Sequence, residues 1–213
     1  SGLINGNLSG SGLIRSTLTG ALTGGVIQGL GSSIDGRSFW DGAKIDYKVV
    51  FEDAALQHTM QKGENNCTCA TAEMANKAQG GNLDQITIRN WNGGDPKIDP
   101  LDDLKVIRSL TTHSNFKMDG IQDNVMQGYS SKGHYISSSL NKGRSVVMTV
   151  PGTGGVGHSV SVKGVYIKNI VKINGFLKTE PAFKIFDPAR SNPYFVSLNY
   201  ITKNASIIFS LWK

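Results

Sequence analysis

Asn65-Asn66-Cys67-Thr68-Cys69-Ala70-Thr71-Ala72-Glu73-Met74-Ala75-Asn76-Lys77-Ala78-Gln79 is the stretch that decides the reading of this chain. It is rich in alanine, opens on asparagine, a residue favoured at helix N-caps, and is closed by Gly80-Gly81, which suits a helix C-terminus. A helix over these residues puts Cys67 at or beside its N-terminus. There the helix dipole lowers a thiol's pKa, and the thiolate is the form that attacks. Cys69 falls on the same turn rotated by about 200°, given 3.6 residues per turn, so the two sulfurs cannot face one cleft. Cys67 is read as the nucleophile and Cys69 as a core residue. With a single residue between them, these two cysteines are poorly placed for a disulfide, which points to a reducing working compartment or to a catalytic use that overrides the usual pattern.

Working outward, Gln61 lies six residues before Cys67. A glutamine amide just upstream of a nucleophile can donate to an oxyanion beside the cysteine's own backbone N–H. Downstream, Asp99 is read as the cap of a second helix with Pro100 at its first position, Asp102 and Asp103 in its first turn, and Leu101, Leu104, Ile107 and Leu110 on one face. Shorter helices are expected at 119–127 and about 133–140. After Gly143 the pattern changes to short β-branched and aromatic runs at 145–150, 159–166, 170–173, 182–186, 194–197 and 206–209, six strands of an antiparallel sheet, with Asn174-Gly175 as a hairpin turn. Helices first and strands second describe an α+β domain.

Among four histidines, His58, His113 and His134 are read as surface residues. His158 differs, because Gly154-Gly155-Val156-Gly157 leads into it and alternating strand residues follow, so a ligand can approach its backbone closely. It is the candidate general base. Asp187 closes the strand ending at Phe186 and precedes Pro188, where a carboxylate could fix the imidazole tautomer; Asn192 and Asn174 are alternatives for that role. Cys67-x-Cys69 has no second ligand pair to make a structural zinc site, and neither metal nor cofactor is expected.

Residues 1–46 are mostly Gly, Ser, Thr and small apolar residues, with Gly2-Leu3-Ile4, Gly12-Leu13-Ile14 and Gly25-Val26-Ile27 as a loose repeat. They read as a connector, or as an arm packed through Leu22, Val26, Ile27 and Leu30 on a domain of residues 47–213. The net charge of +6 is scattered, with no run of five basic residues and no interleaved aromatics. It is read as solvated surface and not as a nucleic-acid platform. No run of about 18 apolar residues could span a bilayer, and no basic segment leads into an apolar one as a secretory signal would.

In order, Gln61, the segment Asn66 to Glu73, Leu140 to Val147, Gly157 to Val165 and Phe186-Asp187-Pro188 resemble the Gln, Cys, strand, His and Asp-Pro blocks of papain-like peptidases, nearest to the C39-like branch. The resemblance covers about residues 51–209. It departs from the C39 pattern at Thr68, where a glycine commonly follows the cysteine, and in a His-to-Asp interval of 29 residues. It implies a papain-like fold, a helical layer on an antiparallel sheet, and a peptidase working through Cys67, His158, Asp187 and Gln61. A CHAP-like peptidoglycan amidase or endopeptidase, and a glutamine deamidase or transglutaminase-type toxin on the same triad, are the enzymatic rivals. A binding module in which the triad is coincidental is the third. The leader from Gly36 to Ala43 is similar to the connector before toxin domains of bacterial RHS-type polymorphic toxins. That likeness implies an effector delivered from a larger carrier into a target cell, acting on protein there, with a cognate immunity protein as partner.

Overall fold

The computed structural model describes residues 33–34, 37–38, 44–97, 99, 101–122, 131–152, 156–171 and 175–213. Most of the glycine-rich leader, Pro100, the segment 123–127 and Asn174 therefore lie outside the described residues. The chain divides into two units, Ser1–Asp46 with Asn169–Lys178, and Tyr47–Lys168 with Thr179–Lys213. In the smaller unit β1 (Ser33–Ile34) pairs antiparallel with β2 (Arg37–Ser38), and Arg37 lies opposite Lys44.

The larger unit holds α1 (Cys67–Ala78), α2 (Gln85–Asn92), α3 (Asp103–His113), α4 (Lys132–Asn141) and α5 (Leu198–Asn204). Its strands are β3 (Lys44–Glu52, from Tyr47 on), β4 (Lys117–Gln122), β5 (Ser145–Pro151), β6 (Gly157–Val171, to Lys168), β7 (Leu177–Phe186, from Thr179), β8 (Tyr194–Ser197) and β9 (Ile207–Trp212). The strand order is β3-β6-β5-β9-β4, and β7 pairs with both β6 and β8. The registers of β5 with β6 and β9, of β4 with β9 and of β7 with β8 are all antiparallel.

Alternation along the central strands sends successive side chains to opposite faces. Val146, Met148 and Val150 of β5, Val160 and Val162 of β6 and Ile208 of β9 pack with Tyr135, Ile136 and Leu140 of α4 and Ile201 of α5. Val147, Phe209 and Leu211 point the other way, onto Cys69, Ala72 and Ala75 of α1, Ile88 of α2 and Val106, Ile107 and Leu110 of α3. The expected helical layer thus covers one face, while α4 and α5 cover the second. The small residues of α1 let it lie close to the sheet, which brings its first turn to the end of β6.

Four local expectations are corrected. The helix expected to begin at Asp99 begins at Asp103, and the Asp102 side chain caps it by accepting from Lys105 N at 2.7 Å. Asp99 instead accepts from Asp95 N at 2.7 Å and closes the preceding loop. The helix expected from Asp119 is the strand β4 over its described part; Gly120 interrupts the alternation, and a Cβ there would come 2.9 Å from the ring of Phe209. The two strands expected at 159–166 and 170–173 are one, β6, as far as Val171. Neither α2, α5 nor β3 was marked by the sequence pattern.

Ile107 is fully buried between α1 and the sheet. Ile107→Ala is expected to lower unfolding stability by about 2–5 kcal/mol, measured by urea denaturation, through lost burial and the cavity left behind.

Candidate active site

Cys67 is the first residue of α1, and its N-cap, Asn66, makes no side-chain capping bond. Asn66 turns its amide away and donates to Gln85 Oε1 at 2.9 Å. The first turn of α1 is thereby left without the usual side-chain cap, and helix dipole and backbone N–H groups both favour negative charge there. Burial pushes the Cys67 thiol up, but hydrogen bonding to His158 and to the Ser159 backbone, together with the charge of His158, brings it below the usual thiol range. Cys69, fully buried, is pushed up to about 12 by that burial and stays a thiol.

His158 is the second residue of β6, opposite Val150 of β5. Its Nε2 lies 2.7 Å from Asp187 Oδ1, which leaves Nδ1 as the ring nitrogen for Cys67. Burial opposes its charge, yet the bonds to Asp187 and Cys67 raise its pKa from 6.5 to about 9. Thiol and imidazole titrate as one coupled pair, each favouring the charged form of the other. Asp187 follows directly on β7, whose pairing with β6 spans the 29-residue interval from His158.

The Asp187 carboxylate, 3% exposed, is fixed from several directions. Oδ1 also accepts from Ala189 N at 2.9 Å, while Oδ2 faces Arg190 Nε at 3.3 Å and the Tyr194 hydroxyl at 3.5 Å. Burial would raise its pKa, but His158, Ala189 N–H and Arg190 hold it below the usual carboxylate value.

Gln61 is joined to this end of the site by its backbone N–H, which donates to Pro188 O at 2.8 Å. Its side-chain Nε2 donates to Gly63 O at 2.9 Å and Glu64 O at 2.8 Å, and Oε1 is buried without a hydrogen bond to protein. Gly63 permits this turn through a φ of 103° and passes close to Pro96 O, where a Cβ would come within 2.8 Å.

His58 corrects the expectation of a surface residue. Its ring is half-buried, Nε2 lies 2.8 Å from Asp187 O, and its edge meets Phe186. His113 stacks on Trp91 at 4.7 Å. Asp103 was read as a helix-start charge, but its carboxylate also accepts from the hydroxyls of Thr68 and Thr149. Burial raises its pKa, and its charge opposes ionisation of Cys67. Nothing in the spacing of Asp103 or His58 signals these partners, because they arise from loops meeting across the fold. Asn192, one alternative to Asp187, has no recorded bond to His158, and Asn174 lies outside the described residues. Among the described residues no cluster of three His, Cys, Asp or Glu side chains is placed to hold a metal ion, and no helix is long and apolar enough to cross a membrane.

No protein-family model and no curated protein matches the chain. Solved structures do match. The peptidase domain of Streptococcus ComA, described as a bifunctional ABC transporter involved in a quorum-sensing pathway, aligns with a TM-score of 0.54 at 13% identity, over 74% of this chain and 98% of that one. A double glycine motif protease from an AMS/PCAT transporter, in complex with the leader peptide, aligns with a TM-score of 0.50 at 16% identity, over 78% of this chain and 97% of that one. Both are peptidase structures. The α+β fold of this chain is therefore papain-like.

The electrostatics fix the sign of two outcomes. In His158→Ala the burial of Cys67 is no longer offset by the imidazole, so iodoacetamide labelling at neutral pH is expected to slow markedly. In Asp187→Ala the imidazolium loses its partner, so His158 titrates at lower pH, stabilises the thiolate less, and the acid edge of rapid labelling rises. Both are read from labelling rates against pH by mass spectrometry.

Proposed function

We propose that the protein is a cysteine peptidase that cleaves peptide bonds through an acyl-thioester formed on Cys67. The observation that carries the reading is His158, held at 2.7 Å by Asp187 through Nε2 and lowering the pKa of Cys67 at the first residue of α1. The likeness to two peptidase domains supports it.

In this reading the Cys67 thiolate attacks the scissile carbonyl, forming the S–C bond as the electron pair moves to oxygen. The Cys67 backbone N–H, at the first position of α1, holds that oxygen. Gln61 supplies a second donor by giving up one of its two loop carbonyls. The His158 imidazolium passes its proton to the leaving amine as the C–N bond breaks. Neutral His158 then takes a proton from water, which attacks the thioester and releases the acid, restoring the thiolate–imidazolium pair. Asp187 keeps the ring oriented throughout and is not itself protonated.

The biological side of the proposal is an effector carried by a larger protein into a target cell, working there in a reducing compartment and countered by an immunity protein. Its support is the composition of the leader and the two unpaired thiols, Cys67 and Cys69.

Comparing the proteomes of target cells expressing wild type and Cys67→Ala tests the reading, with new peptide termini expected only in the wild type. A first synthetic substrate is the chain's own segment 16–31, which carries Gly24-Gly25, since one structural neighbour is a double glycine motif protease. Muropeptides released from purified sacculi, or ammonia released from protein glutamine, without new termini would replace the peptidase reading by a wall hydrolase or a deamidase. Gln61→Ala is expected to lower kcat by about 10²–10³-fold with KM little changed, measured by steady-state kinetics on a cleaved peptide.

A further inference from the structure

The loop from Met60 to Asn66, which delivers Cys67 to the site, is gripped by one face of α2. Gln85 is fully buried, and all four hydrogen-bonding positions of its amide are used. Oε1 accepts from Lys62 N at 2.7 Å and Asn66 Nδ2 at 2.9 Å, while Nε2 donates to Met60 O at 3.0 Å and Glu73 Oε2 at 3.1 Å. One helical turn on, at the i+4 position of the same face, buried Arg89 donates from Nη1 to Asn65 O at 3.3 Å. Its other nitrogens donate to Gly94 O and Asp99 O.

The direction of the Gln85 amide is set by Glu73 together with the Lys62 N–H and the Met60 carbonyl. Glu73, 4% exposed, is a carboxylate paired with Lys77, and an ionised carboxylate only accepts. Glu73 Oε2 accepts from Gln85 N as well as from Nε2, so the nitrogen of the Gln85 amide must point at it and the oxygen must point at the loop. Gln85 Oε1 then obliges Asn66 to present its Nδ2, which keeps the Asn66 side chain from capping α1. A reversed Gln85 amide would set oxygen against a carboxylate and a backbone carbonyl.

We propose that Gln85, polarised by Glu73 and assisted by Arg89, is a positioning residue for the oxyanion side of the Cys67 site: it holds the loop carrying Gln61 and keeps the N-cap side chain off the first turn of α1. This rests on the peptidase reading above. It assigns Gln85 to the step in which negative charge develops on a carbonyl oxygen, and not to the ionisation of Cys67, which His158 governs from the sheet.

Two probes of the same sulfur separate these roles. Alkylation by iodoacetamide needs the thiolate but passes through no carbonyl oxyanion, whereas acylation by p-nitrophenyl acetate does. Gln85→Met, similar in volume and unable to hydrogen bond, is expected to slow acylation by about tenfold or more, with the alkylation rate and its pH profile within about twofold of wild type. If Gln85→Met does not fold, Glu73→Gln removes one of the groups that set the amide's direction while keeping its shape, and the same selective loss is expected. Acylation and alkylation that fall together, or acylation unchanged in a folded variant, would overturn the assignment. A wild-type protein that is rapidly alkylated at Cys67 but never acylated would overturn the peptidase reading and this inference with it. An acylated wild type whose variants keep its ratio of the two rates overturns this inference alone.

Discussion

Holding a thiol below its usual pKa in a largely buried position is the constraint to which the rest of the site answers. Burial is the largest single influence on the Cys67 thiol and opposes ionisation. The imidazolium of His158 and the Ser159 backbone N–H overcome it together, and the uncapped start of α1 adds a favourable field. Cys69 shows what the same interior does without such partners: two positions further along the helix, the thiol is pushed up to about 12. The difference between a lowered and a raised thiol pKa is thus one of placement within a single helical turn.

Meeting that constraint draws on several elements of the larger unit. α1 can approach the sheet because its inner face is built of Cys69, Ala72 and Ala75, with Thr71 bonded to Ser159 at 2.9 Å beside the histidine. β6 and β7 are neighbours, so His158 near the start of one meets Asp187 just past the end of the other. The loop 58–61 is fastened to Asp187 O by His58 and to Pro188 O by the Gln61 N–H, which ties the carboxylate end to the nucleophile loop. Asp103 works in the opposite direction, its charge opposing ionisation of Cys67 from the first turn of α3.

How much of this was legible follows from which forces are local. α1 could be read because alanine content, an N-terminal asparagine and terminal glycines all act within its own length. His158 and Asp187 were marked by a glycine run before a strand and by a strand that ends at Asp-Pro. β4 was misread because Gly120 replaces the apolar residue that would have completed its alternation, and its role is to admit the Phe209 ring. α3 was placed a turn early because Asp99 and Asp102 are equally good caps by type, and only the Lys105 N–H decides between them. α2 was missed since its outward Ile86 is half exposed while the buried face uses polar Gln85 and Arg89, the reverse of an amphipathic pattern. Polar residues that serve a loop distant in sequence leave no periodic trace.

The central claim is that Cys67 and His158 form an ion pair, and nitrogen NMR of the His158 ring as a function of pH measures it most directly. In the wild type the account predicts a doubly protonated imidazolium at neutral pH that loses its proton at about 9, and in Cys67→Ala a titration moved to lower pH, since one of the two partners that raise it is gone. A neutral ring at neutral pH in the wild type, or a titration indifferent to removal of the sulfur, would contradict it.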